Sequence, residues 1–299
     1  MSLTFTGIYA ACITPFSPDG GEIDIAGIGA QVEHMISNGV HGLVPGGSTG
    51  EFTALTVAER KAGNRAYIQA AGGRVPVVAG TGALSTAETI ELSRDAQEAG
   101  ADALMIVPPF YDTPSIEETI AHYRAVSSVV DIPIMFYNIP DATGLDVSAE
   151  EFGRLGREGG VACYKDTSGD FSKFTSVYLD QSDDIQAING CDTLTFAALA
   201  LGTNAGVWGA ASFIPRLCVD LYNALAIDTD MTRARELWEK IHPICVFLES
   251  HSYACGVKTG VELVGMPAGP TRAPILPLAT EYREELRGLL SAAGLETVA

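Results

Sequence analysis

Short apolar runs of strand length alternate along this chain with longer segments whose apolar residues recur every three or four positions. Eight runs read as buried strands: 8–14, 42–44, 75–80, 103–107, 133–138, 161–165, 185–189 and 205–209. Helical periodicity fills the segments between them, among them 24–38, 56–71, 85–99, 115–130 and 192–201. Repeated βα units over about 210 residues predict an α/β protein closed into a (β/α)8 TIM barrel, since the size suits that fold. An open doubly wound sheet fits the same spacing. Helical patterns continue over 216–228, 231–250 and 282–290, and Pro267, Pro270, Pro274 and Pro277 break the tail between the last two. The division predicted is a catalytic barrel over 1–215 and a C-terminal helical extension over 216–299, packed on the barrel.

The 299 residues, 47% hydrophobic and 18% charged, can bury a sizeable core. No stretch has the length and apolar continuity of a membrane span. The start, Met1 to Phe5, has no basic segment leading into an apolar one, which predicts no secretory signal and a cytoplasmic protein. Six cysteines are scattered without CxxC spacing, as buried thiols in a reducing compartment would be. Eighteen basic against 37 acidic side chains give a net charge of −19, which argues against nucleic acid or an anionic membrane as partner. An anionic substrate would then need local hydroxyls and backbone N–H groups to hold it.

In a barrel, polar residues at the C-terminal ends of strands are where chemistry is expected. Four clusters meet that condition: Gly46-Gly47-Ser48-Thr49-Gly50-Glu51, Pro108-Pro109-Phe110-Tyr111, Tyr137-Asn138-Ile139-Pro140, and Lys165 at the end of the sixth strand. Lys165 follows the apolar run 161–164, whereas Lys61, Lys173, Lys240 and Lys258 lie in amphipathic or polar contexts typical of solvated lysines. Desolvation disfavours an ammonium, so an amine at an apolar barrel mouth can be the neutral nucleophile that attacks a ketone. A lysine paired with Asp166 or Asp170 fits the same spacing. Strand alternation puts Met135 and Tyr137 on one face, and Val161, Cys163 and Lys165 on one face of the next strand. Tyr137 and Lys165 can thus share a mouth. A neutral lysine adding to a 2-oxo acid gives an iminium, an electron sink for bond making or breaking at the adjacent carbon, and a tyrosine hydroxyl can move the protons.

The GGSTGE, YNIP and YKDTSGD segments, in this order and spacing, resemble the dihydrodipicolinate synthase and N-acetylneuraminate lyase family of class I aldolases. That resemblance covers essentially the whole barrel. It implies a pyruvate-type Schiff base on Lys165, needing no added cofactor, with Tyr137 as proton shuttle. Ser48 would bind the carboxylate and relay protons, with Thr49 beside it. Tyr111 would complete the relay across a subunit interface in a homotetramer, a dimer of dimers. Gly47, Thr167, Gly190, Asp192 and Val207 are the further substrate contacts it implies. Two departures bear on the substrate. Synthases of this family usually place an arginine two residues beyond the YN-x-P proline, where Ala142 stands here, and losing that bidentate clamp argues against lysine-pathway synthesis. The lyases' glutamate after the aspartate is Thr193 here and their serine after strand eight is Gly209, leaving fewer polar groups for a polyhydroxylated tail. Trp208 adds bulk there, either as pocket wall or as core.

The reading is therefore a Schiff-base lyase acting on pyruvate or a related small 2-oxo acid, outside the lysine pathway. Dihydrodipicolinate synthase, N-acetylneuraminate lyase and a 2-oxo sugar acid dehydratase or deaminase are the alternatives within the family. A non-catalytic 2-oxo acid binding protein is the alternative outside enzymes. A metal-dependent aldolase or hydrolase is disfavoured, because the five histidines show no HExxH or comparable ligand spacing, and no metal ligands are assigned.

Overall fold

The computed structural model describes residues 4–298. Part of the predicted leaderless start, residues 1–3, lies outside the described residues. Eight parallel strands run β1 (Gly7–Ala11), β2 (Gly42–Val44), β3 (Val78–Gly80), β4 (Ala103–Ile106), β5 (Ile134–Asn138), β6 (Cys163–Asp166), β7 (Gln186–Asn189) and β8 (Ala205–Trp208). Their spatial order is β2-β1-β8-β7-β6-β5-β4-β3, and a parallel bridge between Leu43 and Val77 joins the two ends. The sheet is thus a nearly closed barrel, a (β/α)8 TIM barrel, as the alternation predicts.

Helices α1 (Ile25–Ser37), α2 (Val57–Ala71), α3 (Thr86–Ala99), α4 (Ile116–Ser127), the short α5 (Pro140–Thr143), α6 (Ala149–Gly159), α7 (Phe171–Asp180) and α8 (Thr195–Leu201) connect the strands. Their starts are chemically marked. Thr56 with Glu59, Ser115 with Glu118 and Ser148 with Glu151 each form a reciprocal capping box, satisfying backbone N–H groups that a first helical turn leaves without partners.

Strand alternation sorts the core into an interior and an outer shell. Tyr9, Val44, Val78, Met105, Met135, Tyr137, Cys163, Ile188 and Val207 fill the barrel, while Phe136, Tyr164 and Trp208 point outward under the helices. Trp208 is therefore core and not pocket wall: it is fully buried, its indole N–H donates to Thr195 Oγ1, and its ring lies against Trp238. Strand β6 starts at Cys163, so Val161 falls before the pleat and packs in the outer shell, contrary to its predicted place beside Lys165. Beneath the barrel, both backbone polar groups of Phe5 are held by the Gln186 side chain at 3.1 and 2.7 Å.

Beyond β8 come α9 (Pro215–Tyr222), continued by a π-helical turn (Asn223–Ile227), then α10 (Met231–Ser250), α11 (Tyr253–Leu263) and α12 (Thr280–Ala292). Residues of all four helices join one hydrophobic cluster with the outer faces of β1, β2 and β8. The periodicity of 231–250 and 282–290 matches α10 and α12. Helix α11 is not among the predicted elements: it is buried on nearly every side, so its sequence lacks the polar face that marks an amphipathic helix. No helix of the described residues is long and apolar enough to cross a membrane.

Candidate active site

Lys165 is the penultimate residue of strand β6, with its side chain inside the barrel mouth, and its backbone is in register with Tyr137 of β5 and Ile188 of β7. It is 6% exposed, and its Nζ lies 4.1 Å from the centroid of the Tyr137 ring. Neither carboxylate offered as a partner by the sequence reaches it. Asp166 points the other way and accepts from Asn138 Nδ2 at 2.7 Å and from Ser168 Oγ at 3.1 Å. Asp170 caps α7 through the backbone N–H of Lys173 at 2.9 Å. Among the described residues no carboxylate lies within 4.0 Å of Lys165 Nζ. Burial without an ion-pair partner distinguishes this lysine from a structural one. Room for its stem comes from Gly190, where an added Cβ would stand 2.5 Å from Lys165 Cε.

Opposite Lys165, Ser48 and Thr49 form a single tight turn after β2. The first internal hydrogen bond of that turn runs from the Gly50 N–H to Gly47 O at 3.0 Å, so the amides of Ser48 and Thr49 precede it. Close packing sets the turn in place. Gly46 adopts φ +73°, and a Cβ there would meet Asn64 Oδ1 at 2.6 Å, while one on Gly80 would meet Gly46 O at 2.3 Å. Thr14 Oγ1 donates to Gly50 O at 2.7 Å, tying the far side of the turn to the loop that follows β1.

A cavity of about 500 Å³ opens at this mouth, lined by Ser48, Thr49, Tyr137, Lys165, Thr167 and Gly190 among others. Six of the residues singled out from the sequence are thereby gathered. Four others are placed elsewhere. Gly47 lines a smaller space behind the turn. Val207 is 1% exposed within the barrel core and does not line the cavity. Asp192 is 1% exposed and engaged from behind: it accepts from Tyr253 Oη at 2.8 Å and from the Ala210 N–H at 3.4 Å. Burial pushes its carboxyl up to about 6, and the Tyr253 hydrogen bond opposes that shift. Tyr111 is 85% exposed on the loop after β4 and does not line the cavity of its own chain.

Polar groups missing from the sequence at two positions arrive from the C-terminal helices. At Thr193, the Glu249 carboxylate of α10 accepts from the backbone N–H at 3.0 Å and from Oγ1 at 2.7 Å, and Glu249 lines the cavity. At Gly209, the Tyr253 hydroxyl accepts from the backbone N–H at 3.1 Å, and a Cβ there would come within 2.3 Å of it. The expectation of a less polar pocket is corrected by these two residues, which sequence reasoning missed because their contacts span 44 and 56 residues. Ala142 lines the cavity with Asp141, and Lys165 is the one lysine or arginine among its described lining residues. The described residues hold no cluster of three or more His, Cys, Asp or Glu side chains suited to a metal ion.

Known proteins resemble the chain over its whole length. The sequence model of the dihydrodipicolinate synthetase family matches residues 4–293. A 4-hydroxy-tetrahydrodipicolinate synthase from Methanospirillum hungatei is 35% identical over 289 residues, 96% of this chain and 99% of that protein. Among solved structures, the chloride-inhibited dihydrodipicolinate synthase from Acinetobacter baumannii, complexed with pyruvate, superposes with a TM-score of 0.93 at 32% identity, covering 98% of this chain and 100% of its own. YagE, a prophage protein of the same family from E. coli K12, also in complex with pyruvate, does so with a TM-score of 0.93 at 31% identity and the same coverage.

Proposed function

The chain belongs to the dihydrodipicolinate synthetase family, and on that premise we propose that it is a lyase of the class I aldolase type that activates pyruvate as a Schiff base on Lys165. One observation carries the reading: a buried lysine without a carboxylate partner, at the C-terminal end of a barrel strand, against a tyrosine ring and opposite a turn of hydroxyls. Ser48 and Thr49 take the carboxylate of pyruvate, which puts its carbonyl carbon before the lysine. The neutral amine adds to that carbon. Tyr137 passes a proton to the carbinolamine hydroxyl, which leaves as water and yields the iminium. Loss of a methyl proton gives the enamine, whose carbon attacks the acceptor aldehyde, and hydrolysis frees the amine. The cycle needs no added cofactor. Thr167, Gly190, Gly47, Asp192 and Val207 shape the substrate end directly or from behind.

Residues 1–215 serve as the catalytic barrel and 216–299 as its helical extension, in a cytoplasmic homotetramer arranged as a dimer of dimers. The exposure of Tyr111 outside its own cavity supports its joining the relay of a neighbouring subunit.

For the acceptor, the name of the Methanospirillum relative supports aspartate semialdehyde, and so 4-hydroxy-tetrahydrodipicolinate synthase, over the non-lysine-pathway expectation drawn from Ala142. A second reading keeps one specific observation: the cavity offers no guanidinium at Ala142 and presents Asp141 and Glu249 instead, a lining that favours an acceptor rich in hydroxyls over one that ends in a carboxylate. Competing the two acceptor classes against the same pyruvate-loaded enzyme tests this. Turnover of aspartate semialdehyde supports the synthase; turnover of hydroxylated aldehydes alone supports the second reading.

A further inference from the structure

Glu51, which directly follows the Ser48–Gly50 turn, adopts φ +56° and ψ 37°, a left-handed conformation that a glycine takes without cost and a glutamate does not. Its side chain is fully buried and doubly engaged. Oε1 accepts from Lys258 Nζ at 2.6 Å and Oε2 from the backbone N–H of Arg272 at 2.8 Å. Lys258, on α11, is 3% exposed and sits 4.0 Å over the Phe16 ring; burial lowers its basicity while Glu51 opposes that effect. The expectation that Lys258 is a solvated lysine is thus overturned. Both partners of Glu51 belong to the C-terminal extension, although Glu51 belongs to the turn that faces Lys165.

The same helix touches the site at a second place. Tyr253, five residues before Lys258, lines the catalytic cavity, holds Asp192 after β7 and accepts from Gly209 after β8. The two residues are roughly 7.5 Å apart along the helix axis. One stiff element therefore spans the loops of β2, β7 and β8. A buried ion pair is poor as a source of stability, since well-packed neutral residues serve as well. A carboxylate kept in a conformation that suits glycine, and paired behind the turn to a helix that also reaches the cavity, fits a part whose use is to fix geometry.

We propose that Lys258 is a positioning residue: through Glu51 it fixes Ser48 and Thr49 relative to Lys165, and so sets the affinity for the pyruvate carboxylate. This inference rests on the Schiff-base reading of Lys165.

The test uses the full chain and pyruvate itself, trapping the adduct on Lys165 with borohydride across a pyruvate titration, in the wild type and in the variants Glu51→Gln, Lys258→Met and the double variant. The double variant removes both charges, and its thermal stability is expected to return close to that of the wild type. In Lys258→Met and the double variant the half-saturating pyruvate concentration rises on the order of tenfold or more, while labelling of Lys165 at saturating pyruvate is retained. A half-saturating concentration that recovers with stability in the double variant makes the pair structural and overturns the proposal. So does an unchanged concentration in every folded variant, or failure of all three to fold. Absence of any adduct in the wild type overturns the Schiff-base reading and this inference with it, an outcome distinct from equal trapping in all four proteins.

Discussion

Two lysines are buried in this molecule, and they do opposite things. Lys258 is 3% exposed with a carboxylate 2.6 Å away, locked in a pair that ties a helix to a loop. Lys165 is 6% exposed, and the face of Tyr137 is what lies closest to its amine, with both neighbouring carboxylates turned to other donors. Burial alone does not make a nucleophile. Lys258 is fixed in place by its carboxylate, whereas Lys165 has no carboxylate at its amine and stands at the cavity, where a substrate can reach it.

The contrast breaks first at Lys165. Lys165→Met is expected to lower pyruvate-dependent turnover by at least about ten-thousandfold, as loss of a covalent nucleophile does, with an unchanged circular dichroism spectrum. Tyr137→Phe keeps the ring against the amine and removes only the hydroxyl, so turnover should fall by about 10²–10⁴-fold with the fold intact. The Lys258→Met variant fails differently: it leaves Glu51 buried and unpaired, and chemical denaturation should show a loss of about 3–5 kcal/mol. A full loss of labelling in that variant at saturating pyruvate would erase the distinction between the two lysines.

Asp192 sharpens the contrast from the acid side. Burial raises its carboxyl from the ordinary 3.8 to about 6, so the folded protein holds a proton there that the unfolded chain has released. Between about pH 4 and pH 6 the native state binds more protons, and stability falls as pH rises, by about 3 kcal/mol in all, before levelling above that window. Asp192→Asn should flatten this slope in melts taken from pH 4 to 7. The smallest effect concerns the acceptor. Ala142→Arg should improve the KM for aspartate semialdehyde about tenfold, the worth of one charge-assisted hydrogen bond, and leave the pyruvate KM unchanged.

The barrel was legible because its strands are short apolar runs with polar ends, and the rhythm survives without any long-range information. Lys165, Tyr137, Ser48 and Thr49 were legible for the same reason, since each stands at the end of a strand or in the turn just beyond it, whereas Thr167 and Gly190 were named by the family resemblance alone. The resemblance also named Val207 and Asp192, which are buried and do not line the cavity, because a motif match fixes which end of the barrel a residue occupies and not its depth there. Tyr253, Glu249 and Lys258 come from helices whose placement against the mouth depends on packing across the chain. One signal was present: Lys258 is the sole charge in the small and apolar stretch 253–261, which is not how a solvated lysine is surrounded.

The central claim is the bond between Lys165 and a 2-oxo acid. Incubating the protein with pyruvate, reducing with borohydride and sequencing the labelled peptide by mass spectrometry tests it directly. The expected result is one reduced pyruvyl adduct, on the peptide carrying Lys165, with Lys258 unlabelled. An unmodified Lys165, or label spread over exposed lysines, would contradict it.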